Sequence, residues 1–520
     1  QKNGIQILSG NNTYSGDTTV AGGILRAGVS NAFSPFAAVI VDSGATLDAN
    51  GFNQTISALD NSGTVNLASA NAAAMPGVKL IVSGDYTGNG GTVVLATQWL
   101  DDSAAHDQLV IQGNASGVTA LQVLHRGGGA GAQTTVGIDL VSVGGVSAAG
   151  AFTLSPASDG YRATTGAIAA GPYDYALVRG GNGGYANDWY LVSTFIGLPE
   201  ERSYRPEVGA YLTNRYAAIG SQWHTLRDRQ HQGQSQDDAS NQDAHGFIRL
   251  EGREARLESD NFRSTDRRTL LHLGGDAARW NTGAEGSLRV GVMAMLAYDW
   301  GTTRAAGRND AARQSADGAS GGLYATWYER DTQLGAYADF WVIGGRFNNK
   351  VEGPGLPKEK YRATVWTASL EAGYGLPLYQ DAAGNRAVLQ PQAQIIASSY
   401  RTGKHEEKGG TVVADMNDQI ITTRLGVRLY GEIARSADEH KTRLRPYAEL
   451  NWWRGPDSQQ MAFDGIKVRE NLATNRAEIK LGIEGNLTKD ITISAYAGAQ
   501  SSLDGGYASK FVNVGFNKRW

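Results

Sequence analysis

The residue types that most often carry out chemistry in proteins form no catalytic or metal-binding pattern in this chain. Its eight histidines are scattered, and no His-Glu-x-x-His, Gly-x-Ser-x-Gly or phosphate-binding glycine loop occurs. Two acidic groups, Asp101 with Asp102 and His106 with Asp107, could ligate a cation, but we interpret them as solvated turns. Three glycines at 127–129 precede a strand rather than a helix, which argues against a phosphate site. The sequence therefore predicts a protein that is not an enzyme and that uses no metal or cofactor.

Composition narrows the class of protein. A chain of 520 residues predicts two or three domains, and the lack of Cys excludes disulfides and suits a chain that crosses a membrane unfolded. No run of about 20 apolar residues occurs, so helical membrane spans are excluded. The net charge of −4, without a clustered basic face, argues against nucleic acid as a partner. Because Gln1 follows neither Met nor a signal peptide, we expect a mature or truncated fragment of a longer protein.

The first two predicted domains, residues 1–74 and 75–198, are rich in short β runs. Turns led by Gly or Ser-Gly at 22–25, 43–47 and 62–67 recur 21 and 19 residues apart, which is typical of a β-solenoid whose rungs stack on one another. Residues 75–198 continue with strands and glycine turns but have no clear period. Because the end of a solenoid exposes unpaired strand edges, we interpret this part as a cap.

The third predicted domain, residues 199–243, changes character. From Glu207 to Gln230 the apolar residues recur at spacings of three and four, which predicts one helix, followed by a Gln-, Asp- and Ser-rich flexible link. A coiled coil or a surface amphipathic helix is the alternative. The arginines of the predicted helix and its N-terminal flank give it a basic character, and Tyr204 precedes the first of those we single out: Arg205, Arg215, Arg227 and Arg229.

The fourth predicted domain, residues 244–520, alternates between apolar and polar residues and predicts twelve strands. The predicted strands are 246–256, 268–280, 286–300, 319–330, 332–348, 360–376, 387–403, 418–432, 441–454, 474–487, 490–503 and 508–520. An even number of strands joined by alternately long and short loops is typical of a single-chain bacterial outer-membrane barrel. The segment 461–468 is β-like but would make the number odd, so we assign it to an extracellular extension.

The alternation divides the barrel residues between lipid and lumen. In the last strand Phe516 and Trp520 fall on the outer face, and Asn513 and Gly515 on the inner face. The inner face of the other strands receives charged residues that include Arg249, Glu251, Glu449, Glu478 and Glu484. A solvated lumen of mixed charge is the simplest interpretation. A twelve-stranded barrel, however, has a bore close to the roughly 10–12 Å width of a helix. We therefore predict that the basic helix lies inside and meets these carboxylates in weak, salt-screened pairs.

Three segments resemble a known family. Residues 8–25, LSGNNTYSGDTTVAGGIL, resemble the passenger-associated repeat of bacterial autotransporters. Residues 80–91, 107–117 and 189–191 resemble the C-terminal capping region of pertactin-like passengers, and 204–208 with 226–229 resemble the linker helix of the same family. The resemblance implies an all-β protein: the end of a right-handed parallel β-helix, one pore-threading α-helix, and a 12-stranded antiparallel transmembrane barrel.

The resemblance also implies a function. A classical monomeric autotransporter, the single-chain form of type V secretion, resides in the outer membrane of a Gram-negative bacterium and exposes its own passenger, here of adhesin type, at the cell surface. The implied partners are outer-membrane lipid, the barrel-assembly machinery, periplasmic chaperones, and an unknown host or cell-surface ligand of the passenger. Trp189, Tyr190 and Leu191 would then belong to an autochaperone core. The implied assembly signal comprises Asn513, Gly515, Phe516 and Trp520.

Other functions remain as alternatives. The lumenal esterases of this membrane class need a Gly-Asp-Ser-Leu segment, which is missing here. Self-cleavage inside the helix, known in some autotransporters at paired Asn, would have only the lone Asn214. A passive porin or adhesin barrel with a permanent plug and no secretion role is the main alternative, and a surface hydrolase is a third.

Overall fold

The computed structural model of the chain describes residues 4–195, 197–230, 245–283, 286–330, 334–382, 385–415, 419–433, 444–488 and 490–519. Trp520 and the whole predicted link, 231–244, lie outside these ranges. None of the helices among the described residues is both long and apolar enough to cross a membrane.

The N-terminal part is a parallel β-helix. Its strands are β1 Ile5–Leu8, β2 Thr18–Val20, β3 Ile24–Ala27, β4 Ala38–Val41, β5 Thr46–Asp48, β6 Gln54–Ile56, β7 Ala58–Asn61, β8 Thr64–Asn66, β9 Lys79–Val82, β10 Tyr86–Thr97, β11 Gln108–Ile111, β12 Ala115–His125 and β13 Ile138–Val143. Successive rungs stack in register: β4 pairs with β7, β7 with β10, and β10 with β12, all parallel. A second face stacks β6, β9, β11 and β13 in the same way. The rungs thus continue past residue 74 with long turns that hide the period in the sequence.

The β-helix ends in an antiparallel cap. Strand β14 Phe152–Leu154 still pairs parallel with β12. The strands of the cap are β15 Tyr161–Arg162, β16 Ala167–Ala170, β17 Tyr173–Arg179, β18 Trp189–Val192, β19 Thr194–Phe195 and β20 Leu198–Arg202. Strand β18 pairs antiparallel with β13, the last strand of the second face, and with β17 on its other side. The change from parallel to antiparallel pairing covers the open edge of the solenoid, as the stacking argument requires.

The predicted single helix from Glu207 to Gln230 is wrong in its length. The structure has α1 Pro206–Ser221 and a single turn α2 Leu226–Arg229. Between them, Thr225 adopts an extended conformation and caps α2, its hydroxyl accepting from the Asp228 backbone N–H while the Asp228 carboxylate accepts from the Thr225 N–H. This reciprocal capping box begins a new helix at Leu226, because Thr225 is held in an extended conformation that a continuous helix could not contain.

The C-terminal part is a closed antiparallel barrel of twelve strands, which confirms the predicted number. They are β21 His245–Glu258, β22 Phe262–Thr282, β23 Gly286–Ala305, β24 Ala312–Tyr328, β25 Gly335–Glu352, β26 Glu359–Gln380, β27 Arg386–Thr402, β30 Gln419–Glu432, β31 Leu444–Arg454, β34 Asn475–Asn486, β35 Ile491–Ser502 and β36 Tyr507–Arg519. The barrel closes where β21 pairs with β36, from His245 opposite Arg519 to Leu257 opposite Tyr507. Several strands extend beyond their predicted ends because their hairpins stay in register outside the membrane.

Four short strands form a separate sheet over one mouth of the barrel. They are β28 His405–Glu406, β29 Val412–Asp415, β32 Ser458–Phe463 and β33 Ile466–Asn471. The segment 461–468 therefore lies in this sheet and is not a barrel strand, as predicted. Buried Met461 and Phe463 of the sheet join one hydrophobic core with Tyr211 of α1 and with the β-helix. Cap, helix and barrel mouth consequently share one apolar interior.

Candidate functional site: the helix inside the barrel

The helix α1 lies within the barrel, where nearly all of its residues are buried. Small and polar residues allow this fit. A Cβ at Gly209 would come within 2.6 Å of Phe262 and Thr303 of the barrel wall, so a larger residue could not lie this close. Further along, the Asn214 amide donates to the Lys350 carbonyl at 3.0 Å, and the Arg268 guanidinium donates to the Ala217 carbonyl at 2.7 Å.

The segment that joins the two helices, residues 222–225, is held by hydrogen bonds to the barrel wall. Gln222 donates to the Ser320 hydroxyl at 3.0 Å and accepts from Thr367 at 2.7 Å. The imidazole of His224 stacks on Trp341 with ring centroids 4.1 Å apart. Sequence reasoning missed these residues because they interrupt the helical periodicity and match no motif.

The helix arginines contact acidic or aromatic groups that the sequence did not single out. Arg229 donates to Asp339 at 2.5 Å, and both side chains are fully buried. Arg205 contacts Glu407 at 2.9 Å, and Arg215 contacts Asp415 at 3.6 Å. Arg227 donates to the Gln390 side chain at 3.2 Å and lies over the Tyr337 ring. These contacts spread from the extracellular sheet to the far end of the pore. They hold the helix along its whole length.

The predicted lumenal residues are all buried inside the barrel, but their pairing differs from the predicted one. The carboxylates expected to meet the helix contact cations of the barrel wall: Glu251 with Arg249 at 3.5 Å, Glu449 with Arg424 at 3.4 Å, Glu478 with Lys480 at 3.7 Å, and Glu484 with Arg428 at 2.5 Å. The wall is thus largely neutralised by its own charges. The predicted pairing was wrong because inward alternation identifies which residues face the lumen, but not which neighbour across the strands each one reaches.

One acidic residue of α2 does bind this wall. The Asp228 carboxylate accepts from the Tyr496 hydroxyl at 2.6 Å and lies 3.5 Å from Arg249 and 3.6 Å from Lys480. Its other role is to cap α2, so a single side chain joins the local helix start to the barrel wall. The signal was present in the sequence, since Thr225 and Asp228 have the capping-box spacing.

A buried ionic cluster lies where cap, helix and barrel mouth meet. The Arg162 guanidinium of the cap contacts three carboxylates. They belong to Glu207 of α1, to Asp174 at 3.3 Å, and to Asp310 of the β23–β24 hairpin at 3.5 Å. Arg308 of the same hairpin contacts Asp174 at 2.7 Å and Asp310 at 2.7 Å. Burial raises the pKa of the Asp174 carboxyl, although both arginines oppose the rise. We call these five residues the mouth cluster.

Glycines of the barrel hairpins make room for this contact. A Cβ at Gly353 would overlap the Glu207 carboxylate, and one at Gly355, where φ is +71°, would lie 2.8 Å from the Thr164 hydroxyl. Tyr173 of the cap stacks on Tyr204 with ring centroids 5.3 Å apart, and Tyr204 packs on Phe262 of the barrel. The mouth is therefore shaped to receive the cap and the first turn of the helix.

A small cavity lies beside the helix in the lumen. A cavity of about 60 Å³ lies between the helix and the wall formed by the last strands, with Glu251, Arg253, Arg268, Arg476 and Lys480 among its lining residues. Such a volume holds a few waters and no substrate. Within the part of the chain that the structure describes, no group of three or more His, Asp or Glu could hold a metal ion. The arrangement is suited to closing a pore.

The remaining predicted site residues lie at the cap and at the last strand. Trp189, Tyr190 and Leu191 are buried in β18, and the Trp189 indole donates to the Ser147 hydroxyl at 2.9 Å. In β36, Asn513 and Gly515 are buried and face the lumen, and Phe516 lies on the outer face. Their partners on β21 are Glu251, Arg249 and Ile248, so the terminal strand completes the ring. Trp520 lies outside the described residues.

A twelve-stranded barrel whose lumen holds a helix of the same chain, with a β-helix above its mouth, defines a class of protein: single-chain outer-membrane translocators. Residues 246–498 match the family described as Autotransporter beta-domain, residues 54–177 match Autochaperone Domain Type 1, and residues 3–27 match Passenger-associated-transport-repeat. The chain belongs to the autotransporters. It accordingly resides in the outer membrane, with its β-helix at the cell surface.

Several relatives are similar over most of the chain. Uncharacterized protein YdeU of Escherichia coli K12 is 32% identical over 86% of this chain and 98% of its own length. Uncharacterized protein YuaQ of the same strain is 33% identical over 93% of this chain, and Autotransporter adhesin AIDA-I of Escherichia coli is 30% identical over 82%. The chain spans only 36% and 33% of the lengths of these two. The crystal structure of the AIDA-I transport unit covers 61% of this chain and 99% of its own, at 26% identity and a TM-score of 0.52.

Proposed function

We propose that the barrel delivers the β-helix of the same chain to the cell surface and that the helix α1 then remains as the plug of the pore. The observation that carries this proposal is the path of the chain. Gly209, near the start of α1, lies beside Phe262 and Thr303 at the mouth where the cap is docked. Arg229, at the end of α2, lies beside Asp339 at the other end of the pore. The chain therefore passes through the barrel before it enters β21, which supports transport of everything N-terminal to it.

The stacked β-helix supplies a driving force without a nucleotide. Each rung that folds outside buries apolar residues on its neighbour, such as Leu59, Val65 and Leu80, and burial of one such side chain is worth about 1.5–3 kcal/mol. A folded rung cannot slide back through a pore that just fits one helix. The cap, with Trp189, Tyr190 and Leu191 in its core, leaves the pore first and offers β13 as a template for the next rung. We propose the autochaperone role for it.

We propose an adhesive role for the delivered β-helix, based on its similarity to the Autotransporter adhesin AIDA-I. Its ligand would lie on a host or another cell surface. Assembly of the barrel would need the barrel-assembly machinery and periplasmic chaperones, because the chain must reach the membrane unfolded. Lipid is in contact with the outer wall, where Leu250, Leu323, Phe340 and Leu425 are exposed.

Surface exposure of an epitope tests the delivery. An epitope inserted at the exposed turn 148–150 of the β-helix should be reached by antibody and by protease on intact cells. A matched chain that ends before residue 244 should keep the same epitope inside the cell. An epitope that stays inaccessible while the barrel is folded in the membrane would refute delivery. A large single-channel conductance of the intact chain would favour the passive porin instead.

A further inference from the structure

A cluster of three arginines lies on the outer wall of the barrel near its extracellular end. Arg346 of β25, Arg362 of β26 and Arg401 of β27 are exposed and face outward. Thr364 of β26 is the direct partner of both Arg346 and Arg401. Arg362 is therefore diagonal to each of them, and the backbones of diagonal residues on neighbouring strands lie about 7–8 Å apart. The three arginines therefore flank one outward residue, Thr364.

The charge of this cluster is not compensated by the protein. Among the residues that the structure describes, none of the three arginines forms an ion pair with a carboxylate. Lys350, which lies on the same strand as Arg346, differs because it binds Asp317 at 3.0 Å. Three like charges this close repel one another unless an anion lies between them. The geometry therefore calls for a polyanionic group, and arginine forks match phosphate oxygens.

The wall below the cluster is apolar. On the outer face of the barrel, β25 presents Val342 and Phe340 on the periplasmic side of Arg346. Strand β26 presents Trp366 and Leu370 on the periplasmic side of Thr364. On β25 the outward residues from 336 to 344 are all uncharged, and this stretch of about 10 residues matches the length of a membrane-crossing strand. The cluster thus begins where the lipid core ends. Trp366 at this level is typical of the membrane interface.

The extracellular ends of three other strands lack this feature. At the extracellular ends of β30, β34 and β35 the outward residues include Gln419, Ala477 and Ser501, which carry no charge. A general attraction to an anionic surface would not need three arginines on adjacent strands. Their convergence indicates one bound group rather than a diffuse field.

We propose that Arg346, Arg362 and Arg401 bind a phosphate of an anionic glycolipid headgroup in the outer leaflet, with the Thr364 hydroxyl as a fourth donor. The acyl chains of the same lipid lie along the apolar wall beneath the cluster. A lipid is favoured over free phosphate because the site opens directly onto the lipid-facing surface. The site is independent of transport, since it requires only that the barrel is folded in the outer membrane.

The test uses the purified full chain and lipopolysaccharide as the probe, with its enzymatically dephosphorylated form and inorganic phosphate as separate arms. The triple variant R346Q/R362Q/R401Q should bind lipopolysaccharide about tenfold or more weakly, which corresponds to about 1.4 kcal/mol or more. The matched control R256Q/R263Q/R454Q replaces three other exposed arginines of the barrel and should bind like the unaltered chain. Heat-modifiable mobility on gels establishes folding in each case. If the triple variant does not fold, the single variant R362Q should still bind about threefold more weakly.

Each other result overturns the proposal. Equal losses in the two triple variants would mean general electrostatic attraction. Unchanged binding in R346Q/R362Q/R401Q or R362Q would remove the site. Equal binding of the dephosphorylated lipid would show that phosphate is not the bound group. Inorganic phosphate that binds as tightly as the lipid would make this a free-anion site.

Discussion

Trp189 of the cap and Asp139 of the last β-helix strand that it covers, β13, illustrate opposite contributions of single residues. Trp189 fills the core against Phe152, in an edge contact with ring centroids 5.7 Å apart, and satisfies its indole N–H with Ser147. Asp139 accepts from the Gln108 amide at 2.8 Å, but its other carboxylate oxygen is buried without a hydrogen bond. The first residue stabilises the cap, and the charge of the second destabilises it.

Truncation of Trp189 should unfold the cap. Trp189→Ala removes a buried aromatic side chain, and such changes typically cost about 3–5 kcal/mol. The exported β-helix should become protease-sensitive at the cell surface while the barrel keeps its heat-modifiable mobility. Tyr185→Ala, at a side chain that is 80% exposed, is the control and should leave resistance unchanged. Equal resistance in both variants would place the stabilising core elsewhere.

Acidification should stabilise the cap through Asp139. Burial, with a further contribution from Asp188, raises the pKa of Asp139 to about 7 from its usual 3.8. A folded-state pKa above the unfolded one means that protonation favours folding, so this stability is present below pH ~4 and is lost as pH rises through ~7. The free energy of unfolding, obtained from the urea dependence of surface proteolysis, should be lower at pH 8 than at pH 5 by on the order of 1–3 kcal/mol. Asp139→Asn should abolish most of this dependence, whereas exposed Asp17→Asn should not; a dependence that survives Asp139→Asn would exclude this carboxyl as its source.

At the scale of elements, the mouth cluster joins three parts that are far apart in the sequence. Arg162 belongs to β15, Glu207 to α1, and Asp310 to the β23–β24 hairpin. Their contacts can form together only when the cap is outside and the first turn of α1 is at the mouth. The mouth cluster thus marks the final position of the chain in the pore.

Loss of Arg162 should release the cap from the barrel. Arg162→Ala leaves the buried carboxylates of Glu207 and Asp174 with one cation fewer, and breaking a buried ionic network in this way costs about 3–5 kcal/mol. Extracellular protease should then cut between residues 195 and 205 on intact cells. Arg179→Ala, which removes a surface arginine of the cap, is the matched control. Cleavage rates that do not differ between the two variants would argue that the mouth cluster does not hold the cap.

The helix should determine both the conductance and the stability of the barrel. Deletion of residues 200–232 removes the plug, so single-channel conductance should rise and the thermal midpoint of the barrel should fall. The sequence alone led us to expect that this stability difference shrinks at high salt. The structure revises that expectation, because the Arg229–Asp339 pair is fully buried and buried pairs are screened little. A deletion variant that conducts like the intact chain would place the helix outside the pore.

At the scale of the whole molecule, the barrel exists only when its first and last strands meet. Strand β36 pairs with β21 over thirteen residues and with β35 on its other side. Because every other strand depends on this closure to satisfy its edges, the terminal strand affects the entire ring. The predicted assembly signal lies in this strand.

Removal of the terminal aromatic should lower the amount of folded barrel. Trp520→Ala, or deletion of residue 520, should reduce heat-modifiable protein in the outer membrane several-fold. Lys510→Ala changes an outward residue of the same strand at its other end and should have little effect. Wild-type amounts of folded barrel in both Trp520 variants would mean that Asn513, Gly515 and Phe516 suffice or that the signal lies elsewhere.

The sequence by itself determined the types of element, because their signals are local. A period of two marks each barrel strand and assigns Asn513 and Glu251 to the lumen. A period near 20 marks the rungs, and spacings of three and four mark α1. The sequence also supported the family through segments such as residues 8–25. Each of these features depends on residues that are close to one another in the sequence.

Only the tertiary structure decided which groups meet. The break between α1 and α2 depends on Gln222 and His224 finding partners on distant strands, and the choice of Asp339 over Glu449 for Arg229 depends on how the helix is rotated in the barrel. The convergence of Arg346, Arg362 and Arg401 likewise depends on the register of three strands. These contacts join residues that are tens to hundreds of positions apart. No periodicity encodes such distances, because they follow from strand register, barrel closure and the depth at which the helix lies.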